Sequence, residues 1–323
     1  MTNHSSPWSF VSVFALLAAA SAAVAVPQPA HAAPPAAAPT TAKAAAPVAV
    51  KNGDADVNGT RIHYQLHGDL ASGKTPLLVL HGAFMFSDAM KPLIDPLAAT
   101  RPVIAIDARG HGRSGGVDGK LSYDLMADDA AAVLAKLGVK QADVLGYSMG
   151  ASTAIALAVR HPARVGKQVV LSGTSRLDGW YPEVLASIAQ LTPATFAGSP
   201  IETGYKSLSP TPDKFPKLVE NIKTIDATPF AYSDEQLRAI PGKTMVIIGD
   251  ADGVKLDHAI ALFKLRGGGD IAAATQGFMT EAPKARLAIL PATSHVGIMS
   301  EAPAIVAMVT PFLDDKAPPP PAF

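Results

Sequence analysis

The 323-residue chain contains no cysteine. That absence excludes disulfides, thiolate metal sites, a cysteine nucleophile and a lipidated N-terminal cysteine, and it leaves the redox compartment unreadable from thiols. Net charge is absent as well, because 27 Lys and Arg balance 27 Asp and Glu. Such a chain lacks the field that would draw nucleic acid or an anionic membrane surface, so neither is expected as a partner. Aromatics are sparse at 6% and charged residues reach only 17%, against 48% apolar residues. Those proportions suit one large globular domain or two small ones.

A long apolar run occurs at the N-terminus, from Trp8 to Ala25. It is followed by Ala30-His31-Ala32, small residues in the A-x-A arrangement that a signal peptidase requires. Residues 1–32 are therefore expected to be a signal peptide cleaved after Ala32, giving a periplasmic or secreted protein with no stable membrane association after cleavage. Ahead of the run there is no Lys or Arg, only the α-amino group and His4. An uncleaved membrane anchor stands as the alternative. Residues 33–47, APPAAAPTTAKAAAP, cannot bury a core and read as an extended linker. Residues 316–323 read as a disordered tail.

Residues 48–315 alternate short apolar runs with helical patterns. The runs Leu77 to Leu80, Val103 to Ile106, Val144-Leu145, Val169 to Leu171, Met245 to Ile248 and Leu287 to Leu290 are too short for helices and show little alternation. Strands buried on both faces look like this, which predicts an α/β fold with a mostly parallel sheet and helices on both faces. Residues 48–57 and 60–67, joined by Asn58-Gly59, predict an antiparallel pair covering one sheet edge. Helices are predicted from the recurrence of Met126, Ala130, Val133, Leu134 and Leu137, with Ser122 as N-cap and Gly138 as stop, and over 151–161, 257–265 and 302–313. From Thr174 to Pro241 no strand run occurs, but aromatics and prolines do. That is too long for a plain loop, and a small helical lid over about 174–241 is predicted.

The chemistry begins at Gly146-Tyr147-Ser148-Met149-Gly150, a G-x-S-x-G stretch between an apolar run and an alanine-rich helix. Two glycines allow strand and helix backbones to approach, and the serine at the apex can hold a strained conformation with its hydroxyl exposed. Taken alone, the stretch is equally compatible with a glycine-flanked turn. Four other stretches accompany it: "LHGAF" (80–84), "DARGHGRSG" (107–115), "GDADGV" (249–254) and "LPATSHVG" (290–297). Each follows a predicted strand, where open α/β sheets hold their sites.

Together the five stretches resemble the α/β-hydrolase superfamily, over residues 48–315 and in its order of serine, acid, histidine. The resemblance implies Ser148 as nucleophile, His295 as base and Asp252 as the acid that orients it, with Asp250 second in line and Asp257 also competing. It implies an oxyanion hole from the backbone N–H groups of Ala83 and Met149. His81 and His111 would brace loops, and Arg109 would be a buried cation paired locally. Trp180 and Tyr181, early in the lid, are candidates for substrate binding, with holding the lid to the core as the equal alternative. The spacing of Asp250, Asp252, Asp257 and His258 fits no Ca²⁺ or Zn²⁺ pattern, so no metal and no cofactor are expected.

The function implied is an exported serine hydrolase acting on a small-molecule carboxylic ester through an acyl-enzyme. A serine at this position argues against the dehalogenases and epoxide hydrolases of the superfamily, which use a carboxylate there. Lactonase, thioesterase, carbon–carbon hydrolase and cofactor-free perhydrolase chemistry share the triad. A non-catalytic ligand-binding relative is the alternative of a different class.

Overall fold

Eight strands, six of them built around short runs rich in Val, Ile, Leu and Ala, assemble into one sheet. The computed structural model describes residues 48–279 and 281–317. The expected signal peptide, the linker and residues 318–323 lie outside the described residues. The strands are β1 (Val50–Val57), β2 (Thr60–His67), β3 (Leu77–Leu80), β4 (Val103–Ile106), β5 (Ala142–Tyr147), β6 (Val165–Leu171), β7 (Thr244–Ala251) and β8 (Ala285–Ser294). Their order is β1-β2-β4-β3-β5-β6-β7-β8. β2 pairs antiparallel with β1 and β4, and all other pairs are parallel. The β1–β2 turn places Asn58 and Gly59 both at positive φ, 46° and 75°, the requirement of a two-residue type I′ hairpin.

Among the described residues ten α-helices flank or cap the sheet: α1 (Lys91–Ala98), α2 (Tyr123–Lys136), α3 (Met149–Arg160), α4 (Pro182–Ala189), α5 (Pro200–Leu208), α6 (Phe215–Ala227), α7 (Asp234–Ala239), α8 (Leu256–Leu265), α9 (Ile271–Gln276) and α10 (Ala302–Leu313). Alternate strand residues face opposite sides. Leu77, Val79, Val103, Leu145, Val169 and Ile247 join Leu93 and Leu97 of α1 and Ile305, Val309 and Phe312 of α10 in one core. α2, α3 and α8 cover the other face. The α2 helix starts as expected, with the Ser122 hydroxyl accepting from Leu125 N–H, and Gly138 takes a positive φ just past its end. α1 and α9 carry weak sequence signals and were not expected. α1 contains two prolines in eight residues, and α9 is only six residues long.

The stretch from Thr174 to Pro241 is helical, holding α4 to α7. Its prolines serve as helix starters, with Pro182, Pro200 and Pro216 in first turns, where the missing N–H has no helical partner to lose. Most of its aromatics hold the lid together. Phe215 packs against both Phe196 and Tyr205, and Phe196 meets Phe84 of the body at 4.8 Å between ring centres.

The return from lid to sheet hangs on Arg266, which is fully buried. Its guanidinium donates to the carbonyls of Leu237, Ile240 and Gly242 and to the Thr244 hydroxyl at 2.5–2.9 Å. Burial lowers its pKa to about 10. Replacing it with leucine takes the guanidinium donor away from all three carbonyls, while the Thr244 hydroxyl keeps the Gln168 amide as a donor at 3.0 Å. Arg266→Leu is expected to destabilise the fold by about 3 kcal/mol or more, measured by urea denaturation.

Candidate active site

The switch in strand order around β3, whose neighbours β4 and β5 follow it in sequence on opposite sides, opens a crevice at the carboxyl ends of the strands. The candidate residues gather there. Ser148 links β5 directly to α3 with φ 54° and ψ −117°, a sparsely populated conformation that costs on the order of 1–3 kcal/mol. The flanking glycines permit it. A methyl group at Gly146 would overlap the carbonyl of Gly150, and one at Gly150 would overlap the carbonyls of Leu80 and His81. Ser148 N–H donates to Leu171 O at the end of β6 (2.9 Å), and Ser148 O caps the first turn of α3 by accepting from Ala151 and Ser152.

A hydrogen-bonded chain runs from this serine. Ser148 Oγ lies 2.9 Å from His295 Nε2, and His295 Nδ1 lies 2.7 Å from Asp252 Oδ1. Since the ionised carboxylate can only accept, Nδ1 carries the proton and Nε2 presents its lone pair to the hydroxyl. Burial alone would push the Asp252 carboxyl up. Hydrogen bonds from His295, Ser172 and Val254 N–H outweigh it and hold the group below the ordinary carboxylate range.

His295 is held from three sides. Tyr147, just before the serine, donates its hydroxyl to the His295 carbonyl (2.8 Å), and its ring lies 5.6 Å from the imidazole. Trp180 meets the imidazole edge-on at 5.1 Å. Trp180 itself is latched to the acid loop by a bridge to Val254, while Tyr181 N–H donates to Gly253 O. Trp180 is buried, whereas the Tyr181 side chain is exposed, so the two candidates part company: one packs on the imidazole, the other faces solvent.

The competing acids lie elsewhere. Both oxygens of Asp250 accept from the backbone, Ala292 N–H at 2.9 Å and Thr293 N–H at 3.0 Å. Asp250 thereby shapes β8 on the approach to His295 without touching it. Asp257 sits in the first turn of α8. His258 is buried, and its Nε2 accepts from Ser175 N–H. Burial lowers its pKa to about 4, which keeps it neutral. Among the described residues no three His, Asp or Glu side chains converge as a metal site.

Ala83 N–H and Met149 N–H have no hydrogen-bond acceptor among the described residues. The direction of the first is set by His81. Ala108 N–H donates to His81 Nε2 (2.9 Å), so the buried, neutral ring carries its proton on Nδ1 and donates to Gly82 O (2.8 Å). Met85 N–H also donates to that carbonyl. In a trans peptide, carbonyl and N–H point oppositely, so anchoring Gly82 O turns Ala83 N–H away from His81. Arg109 forms a buried two-pronged pair with Asp129 at 2.7 Å, the local pairing expected of it. That pair, with Leu80, His81, Met149 and Gly150, walls a small cavity that neither Ser148 nor His295 lines.

Two residues near the chain of three carried no sequence signal. Ser172, which follows β6, reads as a turn residue in "LSGT". Asp226 on α6 is one more surface-looking acid on an amphipathic helix, yet its carboxyl meets the Tyr123 hydroxyl of α2 (3.4 Å). Only a three-dimensional arrangement reveals either.

Known proteins resemble this chain in sequence and in fold. A protein named "Putative carbamate hydrolase RutD" from Caulobacter segnis is 37% identical over 119 residues, 36% of this chain and 45% of that relative. The chain thus spans less than half the length of that group of relatives. The 2-hydroxymuconate semialdehyde hydrolase of Pseudomonas sp. (strain CF600) is 29% identical over 200 residues, 55% of this chain and 71% of the relative. The crystal structure of the enol-lactonase from Burkholderia xenovorans LB400 superposes with a TM-score of 0.61 at 22% identity, over 81% of this chain and 100% of that one. The family model for the alpha/beta hydrolase family matches residues 77–309, a span that holds the strained serine, both its partners and the lid. The chain belongs to the alpha/beta hydrolase family.

Proposed function

We propose that the protein is an exported serine hydrolase that cleaves a small-molecule carboxylic ester through an acyl-enzyme. The observation that carries this reading is the continuous hydrogen-bonded chain Ser148–His295–Asp252, because a serine hydroxyl is a poor nucleophile until a correctly oriented imidazole can take its proton. Ser148 Oγ attacks the ester carbonyl while His295 Nε2 accepts the hydroxyl proton, and Asp252 stabilises the imidazolium. Ala83 N–H and Met149 N–H are the donors available to the resulting oxyanion. His295 returns the proton to the departing alkoxide as the intermediate collapses, leaving the acyl group on Ser148. Water then attacks with the same base, and the acid product leaves with Ser148 regenerated. No metal or cofactor enters these steps.

Trp180 is assigned a double duty here, bracing the imidazole and walling the substrate side of it, with Tyr181 at the rim of the lid. Ser148→Ala is expected to abolish labelling by a fluorophosphonate probe while leaving the thermal melt unchanged. Asp252→Asn is expected to lower kcat for p-nitrophenyl acetate by about 10³-fold or more, and Asp250→Asn far less, since Asp250 only shapes the β8 backbone. Equal losses at the two positions would move the acid from 252.

Asp226 gives the lid a pH-dependent stability. Burial pushes its carboxyl up to about 7, against the opposing pulls of the Tyr123 hydrogen bond and the His295 charge. The folded chain therefore keeps a proton that the unfolded chain, with an ordinary carboxyl near pH 4, releases, so stability declines as pH rises between those values. Asp226→Asn is expected to raise Tm at pH 8 and to leave it nearly unchanged at pH 4, read from paired thermal melts.

Export rests on the Trp8 to Ala25 run and on Ala30-His31-Ala32. Mass spectrometry of protein from an exporting host should give a mature N-terminus at Ala33 and a periplasmic or secreted product. Retention of Met1 in a membrane fraction would favour an anchor instead.

A further inference from the structure

The ends of β5, β6 and β7 are stitched together by two strained serines. Ser148, at the end of β5, donates its N–H to Leu171 O, and the next residue of β6, Ser172, donates its own N–H to Ile247 O of β7, both at 2.9 Å. Ser172 has the same φ of 54° as Ser148 and is buried to 1% exposure. Glycine is the residue that accepts positive φ without strain, and Gly173 already follows it. A side chain kept at such a position has something to do. That of Ser172 donates to Asp252 Oδ2 at 2.5 Å, while Asp252 Oδ1 accepts from both His295 Nδ1 and Val254 N–H.

We propose that Ser172 is a positioning residue of the triad: its hydroxyl fixes the second oxygen of Asp252 so that the first stays aligned on His295 Nδ1. The proposal rests on the serine-hydrolase reading above. Without this donor the carboxylate has only Val254 N–H, besides the imidazole itself, to hold it, and it can turn about its χ2 torsion. The strand register makes the arrangement a single unit, since one β6 end sets the nucleophile's backbone through Leu171 and the acid's side chain through Ser172.

The tests use the full chain carrying Ser172→Gly, with Ser172→Ala as the second variant. The glycine removes the hydroxyl and the backbone strain together, so Tm should hold or rise while kcat for p-nitrophenyl acetate falls roughly 10- to 100-fold, the effect of one hydrogen bond to a charged group. KM should stay within about twofold, because Ser172 touches no substrate. The acid limb of the kcat/KM profile should move to higher pH, since a carboxylate with one donor fewer holds protons on the Asp252–His295 pair more tightly. The rate of fluorophosphonate labelling should fall in parallel. If glycine prevents folding, Ser172→Ala is read by the same labelling rate per folded molecule. Wild-type kcat, labelling rate and pH profile in the folded variant would overturn the proposal. So would a lowered Tm with an unmoved profile, which is the mark of packing alone. A wild-type protein that the probe does not label would overturn the hydrolase reading and the Ser172 role with it, whereas a labelled wild type with an equally reactive variant would overturn only the latter.

Discussion

The turn at Ser148 is the constraint on which the site depends. A residue other than glycine is held at positive φ between a strand and a helix with no loop between them, and that geometry requires backbones to meet where side chains would collide. Gly146 lies against the Gly150 carbonyl, and Gly150 against those of Leu80 and His81. The close approach of α3 to β3 also brings the first N–H of α3 beside the loop that carries Ala83. A turn relaxed by a side chain at either glycine would separate the hydroxyl from both the imidazole and the unpaired N–H groups.

Around that turn the polar groups are arranged so that each fixes the next. Ala108 N–H sets the tautomer of His81, His81 sets the Gly82 carbonyl, and the carbonyl sets the direction of Ala83 N–H. Tyr147 holds the backbone of His295, Trp180 its ring, and Asp252 its tautomer. In a buried setting an unpaired polar group is expensive, so such chains tolerate few alternative arrangements. The N–H groups of Ala83 and Met149 have no acceptor among the described residues, which leaves them free for the oxyanion role proposed for them.

The lid shows how one composition serves two purposes. Its aromatics can line a pocket or hold the lid to the body, and Phe196, Tyr205 and Phe215 pack on one another and on Phe84. Trp180 alone among those discussed reaches the imidazole. Tyr181, its neighbour in sequence, points to solvent because the chain at 181 is extended, with φ −67° and ψ 135°, and successive side chains of extended backbone diverge. Adjacency along the chain carried no information about which ring would meet His295.

Strand runs, the Asn58-Gly59 hairpin, the Ser122 cap and the strand–turn–helix around Ser148 were legible from residues 48 to 315 because each is a local pattern of apolar spacing, glycine or capping chemistry. The ordered motifs also narrowed the fold to one family. Short helices such as α1 and α9 were not legible, since their few turns leave little periodicity, and neither were the starting roles of the lid prolines. By itself the sequence determined which elements form and which residue types end the strands, because backbone propensity and hydrophobic period act over a few residues. The resemblance already put Asp252 ahead of Asp250, and the tertiary structure supplied its contact with His295; only the tertiary structure decided that Ser172 meets Asp252 and that Asp226 meets Tyr123. Those partners lie 43, 80 and 103 positions apart in the chain, and their meeting is set by strand register and lid packing, which no local pattern encodes.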